Sequence, residues 1–168
     1  MGKTSIEWAE WTWNPTTGCT RVTEGCDHCY AFQLHDMRHE AYKRYNGVAP
    51  KTGNSMPAQY AKPFSEMQLL PQRLELPLKN RRPKRYFVDS MSDLFHSQIP
   101  DAYLLQVFDV MRRAHWHTFQ VLTKRVGRLR RLGTQLDWPP NVWMGVSIEQ
   151  DALTPRADAL RAIRPAVR

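Results

Sequence analysis

Short apolar segments typical of β-strands alternate with segments of helical period along this 168-residue chain, and this alternation limits the fold more than any other feature. Since strand–helix–strand units place their strands in parallel, the pattern predicts an α/β fold with about four β/α units. The predicted strands are Glu10–Asn14, Arg85–Ser90, His117–Leu122 and Asn141–Ile148. The predicted helices are Tyr30–Tyr45, Pro100–Ala114, Lys124–Leu132 and one that opens at Thr154 and Pro155.

The segment 48–83 interrupts this alternation. It contains Pro50, Pro57, Pro63, Pro71, Pro77 and Pro83. Proline removes a backbone donor and clashes with the preceding turn, so a continuous helix is excluded. We therefore predict an irregular insertion within a single domain, residues 1–168, with one short helix near Ser65–Leu70.

Three tryptophans fall in the predicted strands, Trp11, Trp13 and Trp143. Exposed tryptophans could stack on nucleic-acid bases. Because strand positions of an α/β fold face a core, we expect these three side chains to be buried instead.

All three cysteines lie within eleven residues, in the pattern C-x6-C-x2-C formed by Cys19, Cys26 and Cys29. An odd number of clustered cysteines is not a disulfide framework. Gly18 and Gly25 give the loop unusual backbone freedom, so the sulfurs can converge. The helix that follows can offset thiolate charge with its first amides. The cluster predicts a metal centre.

Two metal centres fit three cysteines. A structural zinc ion needs four ligands, so His28, His35 or His39 would have to join. A 4Fe-4S cluster can use three cysteines and leave one iron open. We favour the iron–sulfur cluster because the sequence lacks the second C-x2-C pair that is typical of structural zinc sites. Ordinary buried thiols are the remaining alternative.

The charge of +8 and the isoelectric point near 9.7 favour polyanionic partners such as nucleic acid. The basic runs Lys79–Arg85 and Arg125–Arg131 are not accompanied by a nucleic-acid-binding motif, so we favour a solvated basic surface. The N-terminus lacks a secretory signal, and no run of 18 apolar residues is present. We therefore expect a cytoplasmic protein without a membrane anchor.

Polar residues follow each predicted strand, where ligands of parallel sheets bind. Asp93 could bond an ammonium or hydroxyl group, Lys124 or Arg125 a carboxylate or phosphate, and Ser147 and Glu149 a ribose or amino group. Singly, each could equally be a helix cap or a surface charge. The predicted cofactor-binding set is His28, Tyr30, Ser90, Asp93, Lys124, Ser147 and Glu149.

Several motifs resemble a family of phage- and prophage-borne proteins of unassigned function. They are Ile6–Trp8, Thr12–Pro15, Thr17–Thr20, Gly25–Ala31, Phe87–His96, Thr118–Arg125 and Asn141–Glu149. The resemblance implies a single partial (β/α) barrel of the radical-SAM type. Because members of that family usually continue further, it also implies a barrel truncated at the C-terminus.

In the radical-SAM superfamily, a 4Fe-4S cluster cleaves S-adenosylmethionine reductively, and an electron donor supplies the electron. The resemblance therefore implies the same cofactor pair here. Two features differ from the superfamily pattern. The first cysteine gap has six residues instead of three, and Asp89–Asp93 stands where a Gly-Gly-Glu motif is usual.

Three hypotheses follow for the function. The first is a radical-SAM-like enzyme, or an inactive relative, that acts on an unknown substrate. The second is a non-enzymatic nucleic-acid-binding protein stabilised by zinc. The third is an inactive fragment of a longer enzyme.

Overall fold

A five-stranded sheet forms the centre of the computed structural model, which describes residues 2–163. The described residues form seven strands: β1 Gly2–Lys3, β2 Trp11–Trp13, β3 Thr16–Thr17, β4 Gln68–Leu69, β5 Arg85–Val88, β6 Thr118–Thr123 and β7 Val142–Val146. The central sheet has the strand order β1-β2-β5-β6-β7. Strands β2, β5, β6 and β7 are parallel, and β1 is antiparallel to β2. The predicted α/β fold with parallel strands is confirmed.

Five α-helices connect or cover these strands within residues 2–163. They are α1 Tyr30–Arg44, α2 Leu76–Lys79, α3 Asp101–Arg113, α4 Val126–Gly133 and α5 Ala157–Ala162. Short 3-10 helices are formed by Glu24–Cys26, Ala58–Ala61, Pro71–Arg73 and Asp151–Arg156. The end of the last predicted helix, beyond residue 163, lies outside the described residues.

The short helix predicted at Ser65–Leu70 is wrong. Gln68 and Leu69 instead form β4, which pairs antiparallel with β3 in a separate two-stranded sheet. Leu69 lies opposite Thr16, and Gln68 lies opposite Thr17. A pairing partner more than fifty positions earlier in the chain overrides the local preference, which sequence reading alone cannot foresee.

The main core lies between one face of the sheet and helices α3, α4 and α5. Alternate strand residues enter it, since successive side chains point to opposite faces. From the sheet these are Trp13, Tyr86, Val88, Phe119, Val121, Val142 and Met144, each at most 2% exposed. The helices contribute buried residues such as Leu104, Met111, Leu129 and Ala159.

The opposite face of the sheet is only partly covered. Phe87 of β5 pairs with Gln120 of β6, which in turn pairs with Trp143 of β7, so all three share this face. Trp143 is 39% exposed. The expectation of a buried Trp143 is therefore wrong, whereas Trp13 is fully buried. Strand pairing put Trp143 on the face that the helices leave uncovered.

Within the described residues, β1 and β7 form the two edges of an open sheet. No helix among these residues is long and apolar enough to cross a membrane.

Gly18 fixes the start of the cysteine loop against the segment that precedes β4. Its φ is +101°, and an added Cβ would lie 2.3 Å from the carbonyl oxygen of Glu66. The Gly18 N–H also donates to the carbonyl of Met91 at 3.1 Å. Any larger side chain must therefore displace backbone.

We expect Gly18→Ala to lower the free energy of unfolding by about 3 kcal/mol or more, because backbone strain and a steric clash act together. Gly53→Ala is the matched control. Gly53 also has positive φ, +68°, but open space around its Cβ position, so we expect a loss of only about 1 kcal/mol. Urea unfolding measures both. Equal losses of stability in the two variants would show that the close contact with Glu66 adds nothing to the cost of the Gly18 substitution.

Candidate metal centre

A cavity of about 500 Å³ opens at the carboxyl ends of the parallel strands, and all three cysteines line it. Its polar wall comes from the residues that follow the strands: Asp89, Ser90, Ser92, Asp93, Lys124 and Ser147, with Thr123 at the end of β6. Its apolar wall includes Ile6, Trp8, Phe32, Phe64, Phe87 and Leu122. The volume is ordinary for a small-molecule site. The sequence correctly predicted that the strand ends meet.

Local structure places each thiol differently. The N–H of Cys19 donates to the carbonyl of Phe64 at 2.8 Å. Cys26 ends a 3-10 turn, and Cys29 immediately precedes α1. Cys19 and Cys29 pack against a small apolar cluster of Ala31, Phe64 and Met91. The loop is thus held by hydrogen bonds and packing as well as by its sequence.

The three thiols are free, and no group of three or more His, Cys, Asp or Glu side chains among residues 2–163 is arranged to hold a single metal ion. The chelating geometry that the spacing predicts for one ion is therefore not preformed. A 4Fe-4S cluster would also need the three thiolates to converge, each on a different iron. Binding of a cluster by these cysteines therefore stays a prediction.

Two cations lie beside two of the sulfurs. Lys124 Nζ is 3.7 Å from Cys26 Sγ, and Arg125 Nη2 is 3.7 Å from Cys19 Sγ. Burial acts to raise the pKa of Cys26, but backbone hydrogen bonds at Val22 and Thr23, a side-chain hydrogen bond with Thr23 and the charge of Lys124 lower it overall. The Cys26 thiolate is the better stabilised of the two.

The pKa of Cys19 shifts in the opposite direction. Burial raises the pKa of its thiol, and the nearby guanidinium of Arg125 offsets this only in part. A thiol of this kind gives up its proton when a metal replaces it. Cys19 therefore depends more on an added positive group than Cys26 does.

Arg125 is fixed by hydrogen bonds to Thr20 and by an ion pair with Asp93. Its Nη2 donates to the carbonyl of Thr20 at 2.8 Å and to Thr20 Oγ1 at 2.9 Å. Its buried Nε lies 3.7 Å from Asp93 Oδ2, which is an ion pair although the distance is too long for a hydrogen bond. The guanidinium is therefore held between the cysteine loop and the buried carboxylate of Asp93.

Asp93 is buried and fully occupied by protein donors. Its Oδ1 accepts from Thr123 Oγ1 at 2.7 Å and from Phe95 N at 3.0 Å. Its Oδ2 accepts from Lys124 N at 3.1 Å. Burial raises the pKa of Asp93, and these hydrogen bonds oppose that shift. The contacts give Asp93 a positioning role between two strand ends, in addition to the ligand role that the sequence suggested.

Asp89 is a second buried carboxyl group, directly after β5. It accepts from the N–H of Thr16 at 3.2 Å and pairs with Thr16 Oγ1 at 2.9 Å. Burial raises its pKa to about 8. Its φ of +56° lies in the left-handed region. Sequence reasoning did not select Asp89, although an acidic residue directly after a buried strand is a usable signal.

Lys124 also belongs to a charge network behind the cavity. It pairs with Glu149, which in turn accepts from Arg156 Nη1 at 2.6 Å. Thr23 Oγ1 donates to Glu149 Oε1 at 3.3 Å. Glu149 itself is not among the residues that line the cavity. Glu149 thus connects the cysteine loop to the end of β7.

The other predicted residues line the cavity directly. Tyr30 donates its hydroxyl to the carbonyl of Ser90 at 2.7 Å, which closes one wall. His28 lies in the cysteine loop, and Ser147 follows β7 with its N–H bonded to the Thr123 carbonyl at 3.0 Å. Their predicted roles toward a cofactor stay predictions.

A comparison with models of protein families finds a match over nearly the whole chain. The model of the family "Protein of unknown function (DUF5131)" matches residues 3–168. The chain belongs to this family. No curated protein and no solved structure matches it significantly. Membership of this family therefore does not identify a reaction for this chain.

We expect Asp89→Asn to flatten the pH dependence of stability. With a pKa of about 8 when folded and 3.8 as the ordinary value, the folded chain keeps a proton that the unfolded chain releases. The wild-type free energy of unfolding should therefore be highest below about pH 4 and fall by a few kcal/mol as the pH rises through about 8. Asn keeps an acceptor, suits positive φ and cannot ionise.

Urea unfolding between pH 4 and pH 9 checks this, with exposed Asp36→Asn as the control. Asp36 lies on the solvent side of α1. If wild type and Asp89→Asn lose stability equally over this range, the Asp89 carboxyl group is not the cause.

Lys124→Gln should slow alkylation of Cys26. Loss of a positive charge 3.7 Å from the sulfur raises the thiol pKa, so at a pH near neutrality the iodoacetamide rate should fall about threefold. The change is modest because Lys124 is partly exposed to solvent, although Cys26 is buried. Site-resolved mass spectrometry of the reduced, metal-free protein measures it. Exposed Lys51→Gln should leave the rate unchanged, and an unchanged rate in Lys124→Gln would contradict the charge effect.

Proposed function

We propose that this chain is a radical-SAM-like protein that binds a 4Fe-4S cluster through Cys19, Cys26 and Cys29 and cleaves S-adenosylmethionine reductively. The observation that carries the proposal is the shared cavity: three thiols, with two cations beside them, at the carboxyl edge of a parallel sheet. Three thiolates on one cluster bring negative charge, which Lys124 and Arg125 are placed to balance.

The sheet topology supports a partial (β/α) barrel. Strands β2, β5, β6 and β7 are neighbours in the order in which they occur along the chain. Helices α3, α4 and α5 contribute to a core on one face, and the other face is largely without a helical layer. A barrel has the same arrangement, with helices outside and the catalytic site at the carboxyl ends of the strands.

A bound cluster of this kind supplies one electron to the sulfonium group of S-adenosylmethionine. The chain's own residues would hold the rest of that molecule. Trp8 is 41% exposed and packs edge-on against Phe87, so it offers a flat apolar surface to the adenine ring. Ser90 and Ser147 offer hydroxyl groups to the ribose, and Lys124 offers a positive charge to the carboxylate.

Asp93 and Glu149 have different parts in this proposal. Asp93 already accepts three hydrogen bonds, so it orients Thr123 and Lys124. Glu149 positions Lys124 through their ion pair. The reaction also needs an electron donor, and a cytoplasmic reductant would provide it.

A zinc-stabilised, non-enzymatic protein that binds nucleic acid is the second candidate. The observation that favours it is His28, which lines the same cavity as the three cysteines. Among the described residues these side chains are not arranged around one ion, so zinc would have to draw them together into a Cys3His set. The two candidates differ in what His28 does. A cluster held by three thiolates tolerates the loss of His28, whereas zinc affinity falls sharply without a fourth protein ligand.

Anaerobic purification and reconstitution, followed by iron, sulfide and zinc analysis, tests both candidates. We expect about four irons and four sulfides per chain with a broad absorption band near ~400 nm, kept in His28→Ala and lost in Cys26→Ala. Added reductant and S-adenosylmethionine should then yield 5′-deoxyadenosine. Stoichiometric zinc without iron, lost in His28→Ala, would reject the radical-SAM proposal and support the second candidate.

A further inference from the structure

A second cavity, of about 590 Å³, adjoins the cysteine cavity and shares Ile6, Tyr30 and Ser90 with it. Lys3, Arg38 and Arg73 line this cavity, and no carboxylate among the described residues does. The cavity is therefore positively charged, with a wall in common with the proposed reaction site.

Among the residues that the structure describes, no carboxylate neutralises these three cations. None of them takes part in an ion pair within residues 2–163, although thirteen such pairs exist there. Arg38 instead donates to the hydroxyl of Tyr60 at 2.5 Å, and Arg73 donates to the side-chain carbonyl of Gln59. Neutral acceptors orient both guanidinium groups without cancelling their charge.

Arg73 gives the strongest indication of an anion site among the three cations because its side chain is partly buried. Burial lowers its pKa, as expected for a charge taken from water without an anionic partner. Burying an unpaired charge is costly. A bound anion would remove that cost, and a planar guanidinium matches a phosphate through two parallel hydrogen bonds.

We propose that this cavity binds the phosphate groups of a nucleotide whose base or sugar enters the cysteine cavity. Three cations call for more than one negative charge, and the aromatic rings of Tyr30 and Tyr60 lie in the same wall. Phosphate binding stands on these contacts alone; the assignment of the nucleotide as substrate rests on the proposed radical-SAM function. A free nucleotide and a nucleic-acid strand carry the same phosphate chemistry.

Titration of the purified full chain tests the inference with three probes: inorganic phosphate, ATP and a short single-stranded oligonucleotide. Arg38→Gln and Lys3→Gln should each weaken binding about tenfold, and Arg38→Lys should restore most of it. For the oligonucleotide, each lost cation should also lower the salt slope by about one. Lys3 is exposed, so Lys3→Gln leaves folding intact.

Exposed Arg130→Gln and Lys51→Gln are the matched controls, and both should bind as the wild type does. Binding of ATP in preference to the oligonucleotide supports a free nucleotide, and the reverse supports a strand. Equal weakening in the control variants, or no binding of either nucleotide probe, overturns the inference. Cys26→Ala separates the two proposals, since it should lose the cluster yet keep phosphate binding.

Discussion

The buried carboxyl group of Asp93 connects the two strand ends on which the cavity depends. It accepts from Thr123 at the end of β6 and from the backbone of Lys124 and Phe95. Because these bonds fix the backbone at Lys124, they also direct the side chains of Lys124 and Arg125 toward the sulfurs. Loss of Asp93 would leave several buried donors without an acceptor, which costs more than one ordinary hydrogen bond.

Positive and negative side chains are distributed unevenly around Asp93 and the two cavities. The thiols and buried carboxyl groups lie at the centre, and Lys124 and Arg125 face them. The second cavity has cations without carboxylates among the described residues. An anionic cluster and a phosphate would each find positive charge where they are proposed to bind, so the two proposals draw on separate groups of cations.

The parallel strands could be predicted because short apolar segments that alternate with helical segments are compatible with few folds other than a parallel α/β sheet. Sequence patterns also predicted that Ser90, Asp93, Lys124 and Ser147 meet at one cavity, since parallel strands end at one edge. The helix predicted at Ser65–Leu70 was wrong because part of this segment forms β4, which pairs with β3 from a much earlier part of the chain. The prediction that Trp143 is buried was wrong because alternation with period 2 shows only which residues share a face of the sheet. It does not show which of the two faces the helices cover.

The sequence by itself determined the fold class, the cysteine loop and the polar strand ends, because these follow from local composition and spacing. Only the tertiary structure decided which charges are neutralised. Glu149 proved to be the partner of Lys124 and Arg156, and Arg73 proved to lack a carboxylate partner among the described residues. The reason is physical: an ion pair depends on distance in space, and these partners are separated along the chain by intervals that carry no periodic signal.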